Sequence, residues 1–505
     1  MPELVDTSCV LYPLFFSFLA PFFIYIFRKN VNHREAVSFI AAILTFVSVL
    51  SFVPGVLSGK IYVFHLFTLM DGIYVKFTID GLACIFGLVA PFLWIFVTSY
   101  NIGYMRGLSE HAQTRYYVCF AVAIFGAVGV AMSANIFTLY LFYEIISIFT
   151  YPLVAHHQDD AAWEGARKYF VYLMGTSKLF FLPAMVLTYV LCGTLDFNLG
   201  SLTKGIFPAD ANIWLVTTTY FLYVAGIAKA AIMPFHNWLP SAMVAPTPVS
   251  ALLHAVAVVK AGVFSLSRVM LSAFGVEVLD VKLFTLDWLW GAEFSMGLIT
   301  AYMCAFTIVA ASIIALSKDD LKARLAYSTV SQLSYVIIGV AMLTPLAVKG
   351  GMMHIAHHAF SKITLFMGAG AIYVATHIKK ISLLHGMGRR MPWTFGAFAI
   401  ASLSMIGVPP VCGFVSKWYM VRGAVEIHQI VLLVALLSST LLNAGYFGPI
   451  IYKAFFKGPA EGVRLEEYRE ASPTMVVPLC FTAAVSVFLG LFPETFMNFI
   501  NVFNY

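Results

Sequence analysis

The chain has 505 residues, of which 61% are hydrophobic and only 11% charged, with a formal net charge of +6 and a mean hydropathy of +0.88. That composition excludes a soluble globular protein, and so small a net charge leaves no electrostatic footprint for nucleic acid. The seven cysteines (Cys9, Cys84, Cys119, Cys192, Cys304, Cys412 and Cys480) are scattered singly through apolar runs. No pair has metal or cluster spacing. The expectation is therefore no cofactor and no metal in this chain, with any redox reaction that drives it located on another subunit.

Apolar runs of about 20 residues, the length that crosses a bilayer, recur throughout. Fourteen spans are read, near 9–27, 36–54, 80–101, 116–132, 135–155, 165–191, 211–233, 248–275, 294–316, 325–343, 350–376, 393–421, 429–452 and 474–497. The first, from Cys9 to Phe27, reads as a retained span rather than a cleaved signal. Residues 193–210 and 276–292 read as short polar connections, and 453–473 as the most charged loop. The fold class is thus an all-α polytopic membrane protein lying in the lipid bilayer.

Basic residues set the orientation. Of the 30 lysines and arginines, 18 fall on one set of alternate loops, six on the other and six within spans. The basic set is the inner one, so both termini face outward across a cytoplasmic membrane.

Polar residues inside spans mark function, because a charge at membrane depth costs roughly 2.5–3.5 kcal/mol even on insertion scales. Taken in order, Glu144 in the fifth span reads as the one carboxylate deep in any span; a structural ion pair or a neutral acid is its bland alternative. Lys178 lies mid-span in the sixth. The seventh breaks at Pro234, five residues after Lys229, in the run Lys229-Ala-Ala-Ile-Met-Pro-Phe-His236-Asn-Trp-Leu-Pro240. His254 and Lys260 lie in the eighth, and Arg268 near its end is expected to snorkel. In the tenth, Ser328, Ser331 and Gln332 can order water, while Asp320 and Lys322 anchor the inner end. In the eleventh, His354, His358 and Lys362 share one face at i, i+4, i+8, with His357 offset. The twelfth carries Pro409 and Pro410 just before Lys417. One anion does not neutralise this many cations, so some lysines are hydrated or neutral. The run from His156 to Asp160 reads as a solvated inner loop or, alternatively, a proton-collecting mouth.

Two broken helices, each with one lysine, lie five spans apart, an odd separation that puts them in opposite orientations. That is the mark of an inverted repeat with its ion site at the midplane. The reading divides the chain into helices 1–3 (1–110), a first five-helix unit (111–275), a second (293–455) and a last helix (456–505).

The Lys-x4-Pro-x-His-x-Trp-Leu-Pro pattern of residues 229–240, continued by Ala245-Pro-Thr-Pro-Val-Ser-Ala-Leu-Leu-His254 and Val259-Lys260-Ala-Gly262, resembles the antiporter-like membrane subunits. These are shared by respiratory complex I (NADH:quinone oxidoreductase), Mrp-type Na+/H+ antiporters and membrane-bound energy-converting hydrogenases. The resemblance implies a proton relay of Glu144, Lys229, His254, Lys260, His354, His358, Lys362 and Lys417, in which Glu144 pairs with Lys229 as a switch. Lys178, His236, Ser331 and Gln332 are expected modulators. It also implies other membrane subunits as partners, and H+, with Na+ as a second candidate ion, as cargo. A chain ending soon after its fourteenth span resembles the shorter family members, and lysine at 417 argues against the branch with glutamate there. An Mrp D-type subunit remains open beside a subunit of a redox complex. A stand-alone transporter of organic solutes and an intramembrane metalloenzyme built on His354, His357 and His358 are lesser alternatives.

Overall fold

A computed structural model describes residues 3–286, 292–459 and 465–503, without the side chains at 253, 254, 286 and 292. Among these residues, eleven helices are long and apolar enough to cross a membrane. They are α1 (Ser8–Ile26), α2 (Val31–Leu57), α3 (Gly81–Gly107), α4 (Gln113–Ala131), α5 (Ile136–Val154), α6 (Asp160–Cys192), α8 (Val258–Leu279), α9 (Met296–Ser317), α11 (Pro345–Thr376), α13 (Ile430–Phe456) and α14 (Pro473–Leu491). Three further helices complete the expected order: α7 (Ile213–Gly226), α10 (Leu321–Ala341) and α12, in two pieces, Pro392–Ile406 and Cys412–Glu426. Each falls short of the simple pattern for a physical reason. The seventh and twelfth are broken, and the tenth carries Lys322, Arg324, Ser328, Thr329, Ser331, Gln332 and Ser334 on a buried or partly buried face.

Side-chain caps fix many of the helix starts. Asn135 accepts from the Thr138 amide at 2.7 Å, Asp159 from Ala162 at 2.7 Å and Asp320 from Ala323 at 2.8 Å. Such caps satisfy amides that the first turn leaves orphaned. Helices α3, α8 and α11 are buried along most of their length, whereas α1, α2, α6, α13 and α14 form a rim. The rim exposes large apolar side chains such as Phe22, Leu179, Val190 and Leu441. In water that would be a defect; in a bilayer it is the lipid-facing surface, with every helical backbone bond satisfied internally.

Two small sheets between the spans add to the helical plan. Strand β1 (Glu3–Asp6) pairs parallel with β2 (Lys60–Met70), which pairs antiparallel with β3 (Ile73–Ile79). The end of β3 meets the tight α4–α5 turn, where the Thr78 amide donates to Met132 O at 2.7 Å and the Ala134 amide to Lys76 O at 3.0 Å. The stretch expected as a plain polar connection at 276–292 contains a hairpin, β4 (Lys282–Leu286) with β5 (Ala292–Ser295). Residues 287–291 of that stretch, and 460–464 of the charged loop, lie outside the described residues.

One buried ion pair corrects an expectation. Asp80 caps α3, accepting from the Ala83 amide at 2.8 Å, and its other oxygen lies 2.7 Å from Arg268 Nη1 on α8, with both side chains fully buried. Arg268 therefore does not snorkel; Asp80 and Glu35 are buried carboxylates near the starts of α3 and α2, whereas Glu144 lies deep in its span. Charge taken this far from water is tolerated only when paired.

Candidate functional site

The seventh span breaks earlier than the prolines alone implied. Helix α7 ends at Gly226, and Lys229 sits inside the break on a single 3-10 turn, Ala228–Ala230, followed by Ala231 in the left-handed region at φ +56°. Proline removes an amide and crowds the carbonyl four residues back, so Pro234 acts upstream of itself. Lys229 is fully buried. Its Nζ donates to Tyr143 O at 2.6 Å and to Ser147 Oγ at 2.7 Å, and lies over the Tyr143 ring. Gly262 on α8 makes this packing possible, because a Cβ there would meet the Lys229 carbonyl carbon and the Ala230 nitrogen at less than contact distance.

Glu144 does not pair with Lys229 here. Its carboxylate lies 3.4 Å from Lys178 Nζ, which also donates to Tyr140 OH at 2.6 Å. The expected pair is thus replaced by a neighbouring one. The reason is local: a π segment at Ser177–Phe181 in α6 turns Lys178 toward α5, while Lys229 finds carbonyl and hydroxyl acceptors one residue before and three after Glu144. The Lys178 side chain is 47% exposed, in the middle of a span.

A second cluster centres on α11, where His354, His357, His358 and Lys362 are all fully buried. Lys260 Nζ lies 2.5 Å from His358 Nδ1. The His354 ring lies 5.9 Å from that of His358 and is held by Ser416 Oγ at 2.8 Å and Gln332 Oε1 at 3.1 Å. Lys362 Nζ donates to Ser328 Oγ at 2.8 Å. Tyr446 OH, on α13, donates to the same Ser328 oxygen at 3.0 Å and touches Asn443 Oδ1. Asn443 Nδ2 in turn donates to Met405 O at 3.1 Å, and Lys417 Nζ donates to that same carbonyl at 2.6 Å and to Ile406 O at 3.2 Å. One connected set of hydrogen bonds therefore runs from Lys362 to Lys417. Lys417 reaches back to the carbonyl end of the first half of α12, where a cation is favoured. The chain turns at Gly407, φ +93°, next to the Lys417 stem.

Of the remaining expected residues, Ser331 bonds Ser312 Oγ at 3.0 Å and Ile308 O at 3.1 Å, away from the histidines. His236 is partly buried in the break beyond Lys229, and His254 lies in a π segment, Leu252–Val256, with its side chain outside the described residues. Sequence reasoning missed Tyr143, Ser147, Ser416, Asn443 and Tyr446. A lone asparagine in the apolar run Leu441-Leu442-Asn443-Ala444 was a readable signal; a tyrosine or serine in a membrane helix was not.

The run at His156 is not simply solvated. His156 is fully buried and its Nε2 lies 3.7 Å from Glu110 Oε2, with His157 Nδ1 at the same distance from that oxygen. Nearby, Tyr104, Glu110, His157, Asp320, Lys322 and Lys379 line a cavity of about 350 Å³. All its loops belong to the basic set.

A family model described as NADH:quinone oxidoreductase/Mrp antiporter, TM, matches residues 133–443, which span Glu144 through Lys417. The chain belongs to this family. It is 32% identical over 444 residues to NADH-quinone oxidoreductase subunit N of Desulforudis audaxviator (strain MP104C), covering 85% of this chain and 84% of that one. Other relatives, chloroplast and antiporter subunits among them, are longer, and the chain spans 46% to 65% of their length. A chain of the Mrp complex from Dietzia sp. DQ12-45-1b has the same fold, with a TM-score of 0.84 at 18% identity over 98% of this chain and 97% of that chain. So does a chain of the membrane-bound sulfane sulfur reductase, an archaeal respiratory membrane complex, with a TM-score of 0.83 at 24% identity over 98% and 96%. The protein is a multi-pass, antiporter-like membrane subunit of this family, as the motif at residues 229–262 implied.

Proposed function

We propose that this chain translocates protons as one subunit of a multisubunit membrane complex, driven by redox chemistry or ion exchange on its neighbours. The supporting observation is the line of buried bases and hydroxyls across the molecule. Lys229 leads to Lys260 and His358, then to His354 and Lys362, and the bonded set through Ser328, Tyr446 and Asn443 ends at Lys417. In this set Ser328 and Tyr446 are hydroxyl carriers, whereas the Asn443 amide and the Met405 carbonyl orient and couple the two lysines. His254 completes the relay as first read from sequence, with His236 a modulator beside it. Buried imidazoles and amines that exchange hydrogen bonds suit stepwise proton transfer.

Glu144 is the switch. Held by Lys178, it leaves Lys229 on neutral acceptors; moved to Lys229, it holds that proton in place. A lysine half-exposed in mid-span does not face hydrocarbon at low cost, so Lys178 marks the side on which a neighbouring subunit docks and throws the switch. Helices α4–α8 and α9–α13 form the two inverted units. Protons are taken up through the cavity at Glu110 and Lys322 on the inner side of a cytoplasmic membrane and leave past Lys417 to the outside, where both termini lie.

The test is pH-gradient formation in sealed vesicles holding the native complex, wild type against Lys229→Ala. Collapse of the gradient while any partner redox activity persists or slows supports the relay; unchanged transport overturns it. The antiporter subunits among the relatives favour a second reading, Na+ exchanged for H+ without redox chemistry. The same vesicles with and without sodium separate the two, since the second requires that the gradient vanish when sodium is withdrawn.

A further inference from the structure

Outside the relay, one cluster of titratable side chains has ligand chemistry of its own. Glu110 and His111 lie on the loop that joins α3 to α4, and His156 and His157 just past the end of α5. One carboxylate oxygen of Glu110 and one ring nitrogen each from His111 and His156 all lie within 4.8 Å of one another. The His111 and His156 rings are 4.8 Å apart between centroids. His156 is fully buried, yet neither of its ring nitrogens has a hydrogen-bond partner. A buried imidazole whose nearest acidic partner stands 3.7 Å away, facing that carboxylate and a second imidazole, is a donor set open to a ligand. Its backbone is fixed: Arg115 Nη2 donates to the His156 carbonyl at 3.1 Å. Glu110 is held against both His156 and His157 at 3.7 Å.

We propose that Glu110, His111 and His156, with His157 as a fourth donor, form a binding site for a divalent transition-metal ion of the zinc class. Two or three imidazoles and one carboxylate are the ligand set such ions take, and alkaline-earth ions would ask for oxygen donors instead. In a tetrahedral zinc site with bonds of about 2.0–2.1 Å, donor atoms stand roughly 3.3 Å apart. The exposed His111 side chain and the half-exposed His157 supply the movement that closes the set, while Glu110 and His156 stay in place. The bound ion would tie the α3–α4 loop to the end of α5 at the rim of the 350 Å³ cavity. The site shares Glu110 with the proposed uptake cavity, but metal binding is read without any transport and stands or falls on its own.

The test is metal content and spectrum. The purified complex holding the full chain is stripped with chelator, dialysed against Zn2+ near neutral pH and assayed for bound zinc, beside complexes carrying His111→Ala or Glu110→Gln. His111 is exposed, so its replacement leaves folding intact even if a His156 variant does not assemble. The expected result is one equivalent of zinc per chain lost in each variant, and visible absorption bands of four-coordinate Co2+ in the wild type that disappear in both. Equal zinc in wild type and variants, or a cobalt spectrum that the substitutions leave unchanged, overturns the site.

Discussion

The surroundings of Lys229 and of Lys417 solve the same problem with different means. Both lysines belong to a helix broken in mid-membrane, and both are buried with the ammonium resting on main-chain carbonyls: Tyr143 O for one, Met405 O and Ile406 O for the other. Near Lys229 there is a carboxylate, Glu144, that pairs with a second lysine, Lys178, which reaches the surface. Around Lys417 the partners are neutral: the two carbonyls, the Asn443 amide on the same Met405 oxygen and the aromatic face of Tyr335, with Tyr446 and Ser328 linking on to Lys362. A buried charge pair can be toggled by moving one member, whereas a neutral hydrogen-bond network conducts or orients without a charge to move. The first region is thus suited to sensing a neighbour, and the second to passing on what the first releases.

The sharpest way to break that comparison is to remove the charge from the first region alone. Glu144→Gln keeps the shape and deletes the anion. If the switch lies there, the rate of gradient formation falls by about 10²-fold, the scale on which a positioned proton-transfer group acts. Lys178→Ala, measured in the same vesicles, should slow transport on the same scale, because it leaves Glu144 on Lys229 and holds that proton in place. Unchanged transport in Lys178→Ala would mean that Glu144 acts without exchanging between the two lysines. In the second region Tyr446→Phe deletes one hydroxyl between Ser328 and Asn443. A lost buried hydrogen bond of about 1–1.5 kcal/mol corresponds to roughly a tenfold slower step. An unchanged rate would show that proton transfer to Lys417 does not depend on the Tyr446 hydroxyl.

How much of this was legible beforehand follows the physics of each residue. Lysines, histidines and prolines in apolar runs are costly, so Lys229, Lys260, His354, His358, Lys362 and Lys417 stood out, and each is buried in the structure. The fourteen-helix plan was readable for the same reason, even where α7, α10 and α12 depart from simple apolar helices. Pairing was not readable. Glu144 lies near two lysines, and its partner is decided by the π segment in α6, which leaves no periodic trace in the sequence. Asp80 was lost because it precedes an apolar run as an ordinary helix cap would, and only its distance to Arg268 shows the second role. Hydroxyls such as Ser147 and Tyr446 were invisible because serine and tyrosine are common in membrane helices, and a serine there often does no more than bond back to its own backbone.

The two glycines beside the lysines give the finest test of the comparison. At Gly262 an added methyl would run into main-chain atoms of Lys229 and Ala230, which have no rotamer to yield. At Gly407 it would meet the Lys417 side chain at 2.9 Å, a flexible stem, but at φ +93° the residue is one that side-chain-bearing residues rarely adopt. The second cost is about 1–2 kcal/mol of backbone strain; the first adds overpacking of typically 1–3 kcal/mol at the break itself. Gly262→Ala should therefore lower the melting temperature of the purified complex and disturb transport together, since Lys229 must shift. Gly407→Ala should lower the melting temperature by less and slow transport only modestly, because Lys417 can swing aside and keep its carbonyl partners. If the order is reversed, the Lys417 break is the more rigid of the two, and the assignment of switch to the first region and conductor to the second must be exchanged.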